Sequence, residues 1–146
     1  MKNKREIERE ISQAIVRFEK EFMGRGPLEA RTYIIEDMVL VRLKNVLTPA
    51  ELKLAETSEG KRGRYLIKQM RQELIEQGRP LLDAVIKDVL GMNVVSLHTD
   101  ISARTGERII VFTLESPPEI LHTPFLDKLA DHRDQFTAIS GLCHPE

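Results

Sequence analysis

A chain of 146 residues with 22 Lys plus Arg against 23 Asp plus Glu carries a formal net charge of −1, so it has the length of one domain and no net field drawing it to nucleic acid or acidic lipid. Its single cysteine excludes an internal disulfide, and with no Trp, two Tyr and five Phe it lacks the aromatics of a stacking platform for single-stranded nucleic acid. No run approaches the roughly 20 apolar residues of a membrane-spanning helix. The Met1-Lys2-Asn3-Lys4-Arg5 start leads into mixed charged and apolar positions rather than a signal-peptide core. The expectation is a cytoplasmic protein that meets a membrane only peripherally or through a partner.

Ile7, Ile11, Ile15, Phe18 and Phe22 recur at steps of four, four, three and four, which predicts an amphipathic helix from about Lys4 to Met23. Gly24-Arg25-Gly26-Pro27 ends it, since Pro27 has no amide donor and pushes its predecessor out of the helical region. Arg31 to Glu36 and Met38 to Leu43 read as two antiparallel strands around a Glu36-Asp37 break, although Glu-Asp is a poor tight turn and a longer bend is also compatible. Thr48-Pro49-Ala50-Glu51 is a capping box and the strongest local signal in the chain.

That helix runs to about Glu56, and a longer one follows. Leu66, Ile67, Met70, Leu74 and Ile75 line one face, and Leu81, Leu82, Val85, Ile86 and Val89 continue it past Gly78-Arg79-Pro80. Pro80 removes an amide, so the pattern implies one kinked helix, the favoured form, or two helices meeting near Gly78. Gly91 supplies its stop.

Asn93 to Ser102 alternates, with Val95, Leu97 and Ile101 on one face and Ser96, His98 and Asp100 on the other. Turn residues from Arg104 to Glu107 lead to a second strand-like run, Arg108 to Glu115. The expected fold is α+β: a four-stranded, mainly antiparallel sheet of two hairpins, helices packed on one face, order α-β-β-α-α-β-β-α. How the hairpins join is open. Residues 1–115 form the domain, and 116–146 an extension with a Ser116-Pro117-Pro118 linker and a short helix after Thr123-Pro124.

Three clusters could carry chemistry. His98 and Asp100 share a strand face and could bind metal or move protons, but a catalytic zinc site takes three protein ligands, and His122, His132, Cys143 and His144 stand at no recognised spacing. The plainer reading is a hydrogen-bonded sheet face. Lys61, Arg62 and Arg64, with Lys68 and Arg71 further along, gather positive charge at a helix start that could hold an anion, as could Arg25 at the glycine corner; the plainer reading is a solvated face. Arg42 interrupts an apolar strand, where a buried pair with a carboxylate such as Asp37 competes with ligand capture alongside Arg25 and Arg31. There is no P-loop, nucleophile elbow, dinucleotide fingerprint or zinc-protease motif.

Gly24-Arg25-Gly26-Pro27, Asp37-Met38-Val39-Leu40-Val41-Arg42-Leu43, Val46-Leu47-Thr48-Pro49-Ala50-Glu51, Gly91 before a strand, and His98-Thr99-Asp100 before Val111-Phe112-Thr113-Leu114 together resemble the MpsC-like family of small bacterial proteins, over about residues 6 to 115. The resemblance implies a soluble accessory or regulatory component of a sodium-translocating, membrane-potential-generating system linked to inorganic-carbon uptake, whose other components include membrane proteins. It supplies no catalytic residue and no cofactor. The combined expectation is a non-enzymatic protein acting by protein contact, with hairpin edges and the first helix available for a homodimer. The alternatives are a small-anion or nucleotide sensor and, behind it, a nucleic-acid-binding protein or a metal-dependent enzyme.

Overall fold

A computed structural model describes residues 2–56 and 60–120. The chain divides into two units, Arg5–Pro118 and Met1–Lys4 with Glu119–Glu146; the first holds the whole sheet and all but the first residue of the first helix. The helix expected after Thr123, with His122, His132, Cys143 and His144, lies outside the described residues.

The elements run α1 (Lys4–Phe22), β1 (Glu29–Ile35), β2 (Met38–Lys44), α2 (Pro49–Ala55), α3 (Gly60–Leu90), β3 (Val94–Ile101) and β4 (Arg108–Leu114). All strand pairs are antiparallel in the order β1-β2-β4-β3, so the hairpins join through their second strands. Three registered rows form the covered face. Thr32, Val41, Ile110 and Thr99 lie in one, Ile34, Val39, Phe112 and Leu97 in the next, and Leu43, Arg108 and Ile101 in the third.

α1 ends where Gly24 takes a positive φ of 92° and Arg25 N–H reaches back to Glu19 O at 3.2 Å. The stop therefore precedes Gly26-Pro27. The Glu36-Asp37 turn is a true two-residue connection, made at the cost of a positive φ of 55° at Glu36. The Asp37 carbonyl accepts from Leu114 N–H at 2.7 Å, tying that turn to β4.

α3 is one helix of 31 residues with Pro80 inside it. Its buried stripe is Ile67, Arg71, Ile75, Gly78, Leu82 and Ile86, narrower than the sequence suggested; Leu66, Met70 and Leu81 are exposed. The apolar runs contain more side chains than the sheet can cover. A Cβ added at Gly78 would sit 2.8 Å from Phe18 Cζ and 2.9 Å from Phe22 Cε2, so α1 and α3 cross where only glycine fits. Phe18 and Phe22 stack there with ring centroids 5.2 Å apart.

β3 departs from strict alternation. A register shift between Val94 and Ser96 leaves Val95 outside the ladder and 64% exposed, so the inward set is Leu97, Thr99 and Ile101 rather than the Val95, Leu97 and Ile101 expected.

Candidate functional site

Four charged residues from four elements are buried in one electrostatic cluster: Glu19 of α1, Glu51 of α2, Arg71 of α3 and Arg108 of β4. Glu51 is the capping-box glutamate. Thr48 N–H donates to its Oε1 at 2.8 Å, its own N–H donates to Thr48 Oγ1 at 3.2 Å, and Arg71 donates to both carboxylate oxygens, from Nη2 at 2.6 Å and Nε at 2.9 Å. Arg71 Nη2 also donates to Val46 O at 3.0 Å. Burial pushes the Glu51 carboxyl up, but the hydrogen bonds from Arg71 and Thr48 outweigh it and hold the group below its ordinary value.

The other half of the cluster is incompletely satisfied. Arg108 Nη1 donates to Thr99 Oγ1 at 2.9 Å, while Arg108 Nε and Nη2, Arg71 Nη1 and both Glu19 oxygens are buried without a hydrogen-bond partner. Burial raises the Glu19 carboxyl above its ordinary value against the pull of Arg108 and Arg71, and burial also lowers the Arg108 guanidinium. Leaving such groups unpaired is expensive, so this polar centre sets the site apart from an ordinary core.

Arg108 also lines a cleft of about 490 Å³ between α3 and the edge strand β3. Lys68, Gln72, Glu76 and Arg79 enter it from α3, and His98, Thr99 and Asp100 from β3, over a floor that includes Ile75, Leu97 and Ile101. At its rim Lys68 Nζ approaches Asp100 Oδ1 at 3.2 Å, and Arg79 Nε lies 3.4 Å from Asp83.

The opposite face of the sheet presents a second surface. Tyr33, Leu40, Val111 and His98 form one row, Ile35, Met38, Thr113 and Ser96 the next, and Arg31, Arg42, Ile109 and Asp100 a third. Tyr33, Ile35 and Met38 are each more than a third exposed, so a continuous apolar centre lies between flanking charges.

His98 and Asp100 do share a face, but Asp100 is engaged by Lys68 and by Ile101 N–H at 2.8 Å, and no group of three metal-ligating side chains occurs among the described residues. Lys61, Arg62 and Arg64 stand on the first turns of α3, with Arg64 Nη1 3.5 Å from Ala55 O; Arg25 belongs to the turn after α1. Arg42 does pair with a carboxylate, but it is Glu107 rather than Asp37, and the pair is exposed rather than buried. Arg31 pairs with Glu29 at 2.7 Å.

The buried charges were not singled out from the sequence as a cluster, yet each leaves a trace there. Glu19 follows Ile15 by one turn on the α1 stripe, Arg71 follows Ile67 on the α3 stripe, and Arg108 precedes Ile110 and Phe112 in the inward alternation of β4. Opposite charges at core-facing positions are the signal.

Residues 3–116 match the model of the family described as "MpsC: Na+-translocating membrane potential-generating system (MpsC)". The chain belongs to the MpsC family. It is 46% identical over 113 residues to Bacillus subtilis (strain 168) "Uncharacterized protein YbcI", a match covering 77% of this chain and 89% of that protein. No solved structure matches it. No helix among the described residues of this MpsC-family chain is long and apolar enough to cross a membrane.

Proposed function

We propose that this MpsC-family protein is a non-enzymatic accessory or regulatory subunit that works by protein contact, with the open sheet face as its contact surface. The observation that carries the reading is the apolar centre of that face, where Tyr33, Ile35 and Met38 stand exposed on the four-stranded sheet beside Leu40 and Val111. Such a patch with charged flanks has the make-up of a protein interface. The family description supports a partner within a membrane-potential-generating system.

The test is recovery of tagged protein from its native cells after mild membrane solubilisation, at low and moderate salt. A stoichiometric membrane component retained at moderate salt, recovered reciprocally, and lost with Leu40→Glu but kept with Lys61→Glu is the expected result. Recovery of the protein alone, or equal retention by both variants, refutes the assignment.

A further inference from the structure

We propose that the free edge of β3, with α3 beside it, is a docking groove for an extended acidic peptide segment of a partner protein, which joins the sheet as a fifth strand. This goes beyond the contact function above, because it uses the edge of the sheet rather than its open face. The cleft of about 490 Å³ is lined by Leu97, His98, Thr99, Asp100 and Ile101, which are consecutive on β3. Successive strand side chains point to opposite faces, so a cleft that touches all of them runs along the main-chain edge of the strand.

The backbone directions follow from the register. Leu114 N–H donates to Asp37 O on the β2 side, so Ile110, Phe112 and Leu114 turn their main-chain groups to β2, and Ile109, Val111 and Thr113 turn theirs to β3. Their partners Asp100, His98 and Ser96 face them, which leaves the N–H and C=O groups of Leu97 and Thr99 aimed at the open edge. Ile101 also points outward, but its N–H donates to Asp100 Oδ1 at 2.8 Å, and the register shift between Val94 and Ser96 closes the stretch at its other end. The far edge of the sheet is blunted in a comparable way at Ile34, whose N–H donates to Glu8 Oε2. The open stretch of β3 is therefore short and matches one short segment.

The walls set the chemistry of that segment. In antiparallel addition the residue opposite Thr99 shares its face of the sheet, the face covered by α3, where Ile75 also lines the cleft. Lys68 and Arg79 enter from α3 about 16 Å apart along its axis, the span of about five strand residues. Each holds only a rim partner, Asp100 at 3.2 Å and Asp83 at 3.4 Å, which an incoming carboxylate can replace. Glu76 lies between them in sequence and lines the same cleft. The complementary inward pattern is an acid, an apolar residue and an acid at alternate positions.

The test uses the full chain and the synthetic peptide Thr-Glu-Thr-Val-Thr-Glu-Thr, blocked at both ends, whose two Glu and Val share one face of an extended strand. Saturable binding is expected, with amide hydrogen exchange by NMR slowed at least tenfold at Leu97 and Thr99 and unchanged at His98 and Asp100. Methylating the Val amide, which faces β3, should abolish binding, whereas methylating the Thr before it, whose amide faces away, should change affinity less than about threefold. Lys68→Glu with Arg79→Glu, at the exposed rim, should weaken this peptide about tenfold or more and favour Thr-Lys-Thr-Val-Thr-Lys-Thr instead. No saturable binding, protection without the alternation, equal binding of the two methylated peptides, or binding unchanged in the rim variant overturns the proposal. So does glutarate binding as tightly as the peptide, which would make the cleft a small-acid site. Concentration-dependent protection of Leu97 and Thr99 without peptide would give the edge to a second copy and overturn it too.

Discussion

Glu51 joins a helix cap to a buried ion pair, so its removal should cost more than any cap. Glu51→Ala deletes the acceptor for Thr48 N–H and for two Arg71 donors, leaving Arg71, 2% exposed, with Val46 O as its remaining acceptor beside Arg108. Breaking a buried pair by removing one partner costs about 3–5 kcal/mol, whereas loss of a cap alone costs about 1 kcal/mol. Urea unfolding at neutral pH should therefore separate Glu51→Ala from Thr48→Ala by about 3 kcal/mol. With a slope of about 1.5 kcal/mol per molar, this is a midpoint difference of about 2 M. The double variant Glu51→Gln with Arg71→Met, which removes both charges, should recover much of the loss. Because the folded Glu51 carboxyl lies below its ordinary value near 4.5, its contribution is complete above that pH and lost as pH falls through the folded value. Wild type and Glu51→Ala should converge on acidification. If Glu51→Ala loses no more than Thr48→Ala at neutral pH, the buried pair contributes nothing and the reasoning fails.

Glu19 should behave in the opposite sense: its folded pKa is raised by burial, so its contribution is present below the unfolded value near 4.5 and lost as pH rises through the folded one. Glu19→Gln should match or exceed wild type at pH 7, and the difference should close at pH 4; a wild-type advantage at pH 7 in urea midpoints would count against this. Gly78→Ala drives a methyl into Phe18 and Phe22 and should cost about 1–3 kcal/mol, measured as a lower thermal midpoint, with no loss showing that the helix crossing can open freely. On the open face, we expect purified wild type to pair with a second copy when no other partner is present. Sedimentation should then show a dimer that Met38→Glu converts to monomer with its thermal midpoint unchanged, and a monomeric wild type would refute self-pairing.

Local chemistry was readable from the chain, and non-local chemistry was not. The capping box at Thr48 and Glu51 is written in four consecutive residues, and both hairpins in short apolar runs around polar breaks. Even the unfavourable Glu36-Asp37 pair closes a tight turn, because the register of β1 with β2 and the bond from Leu114 N–H to Asp37 O outweigh local preference. Val95 lies outside the ladder rather than on the inward face because a single register shift reverses a side chain without changing the composition around it. The buried stripe of α3 is narrower than its apolar pattern because periodicity gives the angle of a face but not the area its neighbours cover, which leaves Met70 and Leu81 outside. Arg42 found Glu107 rather than Asp37 because sheet order brings the start of β4 beside the end of β2. The apolar stripe of the first helix is taken up within the chain: Ile7, Ile11, Ile15 and Phe18 are buried, and Glu8 Oε2 accepts from Ile34 N–H at 2.8 Å, engaging β1.

The four buried charges bear on why this core is built as it is. Well-packed apolar side chains in place of a buried ion pair are often as stable or more so, and an incompletely bonded cluster is worse than either. Stability alone therefore accounts for Glu51 with Arg71, whose bonds are nearly complete, but not for Glu19 with Arg108, where four buried polar atoms lack partners. That imbalance lies on the side of the cluster that borders the cleft, since Arg108 belongs to both. Arg108 also bonds Thr99 on β3, and Thr99 in turn donates to Ile109 O at 2.8 Å, so the charged centre is tied to two adjacent strands whose other face carries His98 and Ile109.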